Sequence, residues 1–427
     1  MRIAMLSYHT CPLATLGGKD TGGMNVYVRE LTRELGRQGI HVDVFTRSQD
    51  EHVPHVVHDL GYGNRVVHVP AGPEEPLPKE EMASYIPEFV EGVLFFSSAK
   101  HLQYDLIHSH YWMSGIAAKE LKAIWDVPVV HMFHTLGLMK NRIAGEGEYE
   151  GDYRIRGELE VLRIADKVVA ATPAETAQLQ WLYEVKTDHV TIVPPGVDIC
   201  HFYPIPKDEA KEYIGVSPDD QLLMYVGRIE PLKGIDTLLQ AIANMRAMEG
   251  GNDRNISLAI IGGEADISEE QMTTEMGRLQ RMCDKLGLKD IVSFMGKRSQ
   301  DKLPYYYSAA EVVVVPSLYE SFGMVALEAM ACGTPVIASQ VGGLVFLIQD
   351  GVNGFHFPDR DADALCLSLR NLLDDDEQRA MMGGQAAEYA KQFSWENIAD
   401  QIRLVYGELL DKEELTIKTR LKANSQK

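Results

Sequence analysis

One stretch constrains this 427-residue chain more than any other, the run from Val312 to Pro335. Val312 to Val315 is an unbroken β-branched run, the pattern of a strand covered on both faces. Pro316 and Ser317 stop it. A helix is expected to open at Ser321 or Phe322 and run to about Ala331, with Gly333 and Pro335 closing it. A buried strand, a short loop and a helix in that order build an open parallel sheet, which binds ligands at the carboxyl ends of its strands. The free N–H groups near Gly323, Met324 and Val325 suit an anion. Glu320 lies in the loop before them, and Glu328, two turns on, points back towards the same place. A carboxylate beside an anion site needs a different partner, and sugar hydroxyls fit. The plainer alternative is a solvated helix start carrying two surface acids.

The same grammar recurs through the second half. Gln221 to Val226 reads as a strand, Gly227 to Gly234 as a loop, and Ile235 to Met248 as a helix. Arg228 and Lys233 put two cations beside that helix start, an arrangement suited to a diphosphate. Ser257 to Ile261 ends in Gly262-Gly263-Glu264, and Ile291 to Lys297, containing Met295, is a further strand. Tyr305, Tyr306 and Tyr307 read as the packed face of a helix, with a stacking platform as the alternative. The turns Gly342-Gly343-Leu344 and Asp350 to Gly354 need positive φ, and only the first is expected near ligand.

The first half opens with a strand, Arg2 to Ser7, a loop from His9 to Gly23, a helix from Asn25 to Gln38 and a strand from Val42 to Thr46. The glycine cluster Gly17-Gly18-Lys19-Asp20-Thr21-Gly22-Gly23 fits a phosphate-binding turn and a flexible surface loop equally well. Arg65 to Pro70 is another strand, and a Pro-rich loop follows it to Lys79. Two further strand ends carry His108, His110, His131 and His134 near one rim. Their spacings resemble metal ligands, but no nearby Cys or carboxylate completes a site. Gly145 to Arg156 reads as a polar loop entering a helix from Gly157 to Ile164. Arg154 and Arg156, with Lys79, Tyr111 and Thr135, suit a phosphate; the alternative is that the arginines pair with Glu148, Glu150 or Glu158. Lys167 to Ala171 is expected to be the last strand of this half. Val190 to Asp198 and Phe202 to Pro206 have the Pro and Gly punctuation of a linker.

A chain this long exceeds the ~250–300 residues at which single cores stop growing, so two domains are expected. They are placed at residues 1–195 and 207–392, with residues 393–427 forming an amphipathic helix, Ser394 to Leu410, and a frayed polar tail from Lys412. The net charge of −21 argues against non-specific binding to nucleic acid or anionic membranes. No apolar run approaches the ~18–20 residues of a membrane span. Five scattered cysteines without a CxxC, and a start too short for a signal-peptide core, suit a reducing cytoplasm.

Glu320-x7-Glu328 with Phe-Gly between the acids and Gly-Thr-Pro-Val-Ile behind them resembles the donor signature of family 4 retaining glycosyltransferases, which have the GT-B fold: two Rossmann-like, doubly wound parallel-sheet α/β domains facing a cleft. Gly-Arg228-x4-Lys233-Gly resembles that family's pyrophosphate signature, and Gly22-Gly23-Met-Asn25 its glycine-rich turn. The resemblance implies a nucleotide-sugar donor held by Gly22, Gly23, Arg228, Lys233, Gly262, Met295, Glu320, Gly323, Met324, Val325 and Glu328. It implies a phosphorylated sugar or polyol acceptor held by Asn25, Lys79, His110, Tyr111, Thr135, Arg154 and Arg156. His134, Glu320, Arg228 and Lys233 would act at the reacting centre, with no metal and no cofactor beyond a UDP-sugar co-substrate. Two branches of the family take phosphorylated acceptors. Arg154-x-Arg156 resembles the sucrose-phosphate synthases, which join glucose from UDP-glucose to fructose 6-phosphate. Several N-terminal motifs, among them His108-Ser-His110-Tyr111-Trp112, resemble the inositol-phosphate glycosyltransferases of mycothiol synthesis, which use UDP-N-acetylglucosamine. The arginine pair tips the expectation to the first; a sugar-nucleotide epimerase or binding protein on the same scaffold is the reading from another class.

Overall fold

The computed structural model describes residues 1–15, 21–143, 149–248, 255–263 and 274–424, with side chains through Asp411 apart from Thr187. Gly17, Gly18, Lys19 and Asp20 of the glycine cluster, with Glu148 and Glu264, lie outside the described residues. The chain forms two units. One holds Met1–Ala14, Thr21–Pro194 and the terminal helix from Trp395; the other holds Pro195–Ser394.

The sheet of the first unit consists of β1 (Arg2–Leu6), β2 (His41–Arg47), β3 (Val56–Val57), β4 (Arg65–Val69), β5 (Leu106–His110), β6 (Val129–Met132), β7 (Lys167–Ala170) and β8 (Val190–Ile192). Their order is β3-β4-β2-β1-β5-β6-β7-β8, parallel except for the β3–β4 pair. Chain order reverses between β1 and β5, so the loops leaving these strands open at a topological switch point. Leu6, Phe45, Ile107, Val129 and Val168 belong to its buried core.

The second sheet consists of β9 (Gln221–Val226), β10 (Ile256–Ile261), β11 (Val292–Gly296), β12 (Val312–Val315), β13 (Val336–Ser339) and β14 (Gly354–Phe357), ordered β11-β10-β9-β12-β13-β14. The described pairings are all parallel. Its switch point lies between β9 and β12. The four valines of β12 are at most 5% exposed. Each contributes roughly 1.5–3 kcal/mol by leaving water, which fixes this strand in the middle of the sheet.

Four expectations need correction. Lys167–Ala170 is not the last strand of its half. β8 pairs in parallel with β7, and Val193 N–H donates to Ala170 O at 2.9 Å, so the supposed linker begins as a sheet edge. The helix expected from Gly157 starts at Asp152, behind Gly151 in extended conformation. Asp152 in the first turn complements the helix dipole. The helix expected from Ser321 or Phe322 is Met324–Ala331, because Gly323 has φ +104° and cannot continue a right-handed helix backwards. The terminal helix does not fray at Lys412 but spans Trp395–Asn424.

Candidate functional site

In the second unit the loops after β9, β10 and β12 approach one another through their backbones. Gly234 has φ +61°, and a Cβ there would lie 2.1 Å from Pro316 O. Gly262 has φ +145°, and a Cβ there would lie 1.8 Å from Gly227 O. Only glycine meets both demands at once. Leu318 N–H donates to Leu232 O at 2.8 Å, tying the Glu320 loop to the Lys233 turn. The Lys233 ammonium therefore pairs with Glu320 Oε1, which also accepts from Ser317 Oγ at 3.0 Å. Gly343 N–H holds the Glu320 carbonyl at 2.9 Å. Arg228 Nη1 lies 2.7 Å from Glu230 Oε1, and its carbonyl accepts from Tyr225 OH at 2.8 Å. Glu328 is buried in the helix Met324–Ala331, and its Oε2 accepts from Tyr307 OH at 2.8 Å. Met295 lies on β11, half-buried, and Gly262 N–H pairs with Gly296 O at 3.0 Å.

In the first unit the cluster is made of side chains. Tyr111, with φ +70°, precedes the helix Trp112–Trp125 at the end of β5. The Lys79 ammonium sits 5.7 Å and the Arg154 guanidinium 5.0 Å from the centre of its ring. Burial pushes the Tyr111 phenol up to about 12, so it stays protonated. Arg154 is 2% exposed and donates through Nη2 to both the carbonyl and the hydroxyl of Thr135 at 3.0 Å. Its charge is balanced by Glu158 at 2.8 Å and Glu150 at 2.6 Å. Glu158 is itself locked by Gly137 N–H and by the Tyr183 hydroxyl.

Behind this cluster lies a row of histidines. His110 Nδ1 and His134 Nε2 share a hydrogen bond at 3.0 Å, His108 Nδ1 and Tyr406 OH one at 2.7 Å, and His131 Nδ1 and Ser109 Oγ one at 2.8 Å. Burial drives His134 and His108 down to about 3, and His110 and His131 fall well below the usual range for the same reason. All four are neutral at physiological pH. His134 has φ +61° and packs edge-on against Tyr27. Among the described residues no group of three or more His, Cys, Asp or Glu is placed to hold a metal ion. Among them, too, no helix is long and apolar enough to cross a membrane.

Residues 21–200 match the sequence pattern described as Glycosyltransferase Family 4, and residues 206–389 that described as Glycosyl transferases group 1. The chain belongs to the family 4 glycosyltransferases. It is 41% identical over 413 residues to a D-inositol 3-phosphate glycosyltransferase 2 of Catenulispora acidiphila, covering 96% of this chain and 95% of the relative. It is 40% identical to a D-inositol 3-phosphate glycosyltransferase of Saccharomonospora viridis, covering 96% and 94%. A solved sucrose-phosphate synthase from Thermosynechococcus elongatus superposes with a TM-score of 0.87 at 34% identity, covering 96% and 99%. The fold is therefore GT-B.

For this glycosyltransferase the structure brings together Lys233 and Glu320, and separately Lys79, Tyr111, Thr135 and Arg154. It does not bring Arg156 to the second group. Two residues apart on a helix are about 200° apart around its axis, so the arginines cannot form one fork. Arg154 points into the protein; Arg156 is exposed, with Nε 3.4 Å from Asp152 O. Gly22 caps the helix Gly23–Arg37, and its N–H donates to Asn25 Oδ1 at 2.9 Å. The Asn25 amide is committed to Thr10 Oγ1 and Cys11 O at 2.7 and 2.8 Å, so it shapes the loop from inside. Tyr307 lies on the packed helix face expected from the sequence, and its hydroxyl reaches Glu328. Two residues of these clusters carry no local sequence signal: Ser317, and Lys140, which pairs with Glu150 at 2.5 Å.

Proposed function

We propose that this family 4 glycosyltransferase moves a hexosyl group from a UDP-sugar to a phosphorylated polyol of the D-inositol 3-phosphate class, with retention at the anomeric carbon. The observation that carries the reading is the convergence of Lys79, Tyr111, Thr135 and Arg154 at the strand ends of the first unit. Two cations and two hydroxyls are a donor set for a phosphate. The names of the relatives support inositol 3-phosphate as its bearer. The preference for fructose 6-phosphate rested on Arg154 and Arg156 acting together, and Arg156 is turned away. Fructose 6-phosphate with UDP-glucose stays as the second reading on the strength of the sucrose-phosphate synthase superposition.

In this reading Arg228 and Lys233 neutralise the leaving diphosphate, each worth ~3–4 kcal/mol if placed as well as comparable groups in other enzymes. The diphosphate takes over the charge of Lys233 from Glu320, and Glu320 turns to the hydroxyls of the donor sugar. Glu328, steadied by Tyr307, holds the ribose. His134, neutral, hydrogen-bonds the sugar. No second carboxylate is positioned for a double displacement among these residues. The acceptor oxygen bonds the anomeric carbon on the face the diphosphate leaves, and its proton passes to the leaving phosphate oxygen.

The test is UDP release with UDP-N-acetylglucosamine and UDP-glucose, each against D-inositol 3-phosphate and fructose 6-phosphate. Turnover with the inositol phosphate alone is expected. Turnover with UDP-glucose and fructose 6-phosphate alone would replace this reading with the second one.

A further inference from the structure

Glu150 sits in the cationic cluster as a built-in anion. Its Oε1 accepts from Lys140 Nζ at 2.5 Å and from Arg154 Nη1 at 2.6 Å. Its backbone is clamped by Asn141, whose Oδ1 accepts from Glu150 N–H at 2.6 Å and whose Nδ2 donates to Glu150 O at 3.0 Å. Burial pushes the Glu150 carboxyl up, but the charges of Arg154, Lys140 and Lys79 outweigh that and hold it below its ordinary value. The cations around the expected phosphate position thus already share one carboxylate.

Counting donors shows what must give way. A guanidinium has five N–H groups. Arg154 commits Nε to Glu158, both hydrogens of Nη2 to Thr135, and one of Nη1 to Glu150. Only one N–H is left uncommitted among the described residues, too few for a forked grip on a phosphate. Glu158 cannot release its share. It is 0% exposed, and both its oxygens hold Gly137 N–H, at 3.0 and 3.1 Å. Glu150 can, because its side chain is 19% exposed and can turn to water.

We propose that Glu150 is a competing anion at the acceptor-phosphate subsite, displaced by the acceptor's phosphate when it binds. The proposal rests on the phosphorylated-acceptor reading above and makes Glu150 a determinant of acceptor affinity. An uncharged polyol offers nothing to the cations and leaves Glu150 in place, whereas a phosphate dianion replaces it with more charge. Glu150 therefore lowers the affinity of this subsite for phosphate, because the phosphate must displace it.

The probe is inorganic phosphate, used on the full chain as an inhibitor competitive with the acceptor, with the donor KM as internal reference. In Glu150→Gln the inhibition constant of phosphate is expected to fall roughly fivefold to tenfold, and the acceptor KM to fall with it. An inhibition constant that stays the same or rises would overturn the proposal and make Glu150 a support for Arg154. Should Glu150→Gln not fold, Glu150→Asp carries the test. Its shorter carboxylate retracts from the cations, so a smaller fall is expected, and no fall is again contradictory. The wild type separates the two levels. If phosphate does not compete with acceptor and a dephosphorylated acceptor turns over equally well, the phosphorylated-acceptor reading fails and this proposal with it. If phosphate competes normally but the variants gain nothing, only the role of Glu150 fails.

Discussion

The residues around Glu320 are held by backbone, those around Arg154 by buried charge. In the second unit Gly234 and Gly262 let three loops touch, and the side chains they carry are partly exposed: Lys233 18% and Glu320 20%. In the first unit Arg154 and Glu158 are 2% and 0% exposed and satisfy each other. The first design leaves its charged pair free to exchange partners at little cost to the fold. The second makes the recognition group part of the fold, so removing it must damage stability as well as binding.

The sharpest break in that contrast is Arg154→Met. It strands Glu158 as a buried charge without its cation, and a loss of ~3–5 kcal/mol in unfolding free energy is expected. Denaturant titration measures it, and a loss below ~1 kcal/mol would mean that Arg154 is not structural. Lys233→Ala is the counterpart in the second unit. It should lower kcat/KM by roughly 100–1,000-fold. Its melting behaviour should stay close to that of the wild type, because a partly exposed pair whose carboxylate keeps another donor contributes only about 1 kcal/mol. A large stability loss there would erase the distinction.

A third prediction sharpens the buried-charge side. Burial raises the Glu175 carboxyl to about 7, partly offset by the hydrogen bond it accepts from Ala171 N–H. A raised carboxylate stabilises the fold fully below its ordinary value near 4.5, and that contribution is lost as pH rises through about 7. Between pH 5 and pH 9 the stability difference should therefore shift in favour of Glu175→Gln, by on the order of 2–3 kcal/mol. Parallel pH profiles for the two proteins would contradict it. The smallest effect is expected from Arg156→Ala. Its exposed guanidinium contributes little, so kcat/KM should stay within about twofold. A tenfold rise in acceptor KM would restore the arginine pair that the structure separates.

The contrast also explains what could be read from the sequence. Backbone-built parts leave contiguous marks. β9 and the helix Ile235–Met248 have the predicted bounds, and the glycines flanking Arg228 and Lys233 stand where the loops touch. Charge-built parts also join residues from separate segments. Lys140 and Glu150 are ten positions apart, and nothing in either segment announces the pair. The run before Gly157 reads as loop because it is polar, charged and rich in glycine. The spacing of Arg154 and Glu158, four residues apart, was the helical signal there. β8 leaves little mark in the sequence, because three residues ahead of Pro194 and Pro195 look more like punctuation than a sheet edge.

The most direct test of the account is a single ratio, kcat/KM for D-inositol 3-phosphate against unphosphorylated inositol, with the same UDP-sugar and wild-type protein. A phosphate gripped by Lys79, Tyr111, Thr135 and Arg154 predicts a preference of ~100-fold or more for the phosphorylated acceptor. Equal values for the two would contradict it, and the cluster around Arg154 would then be part of the fold alone.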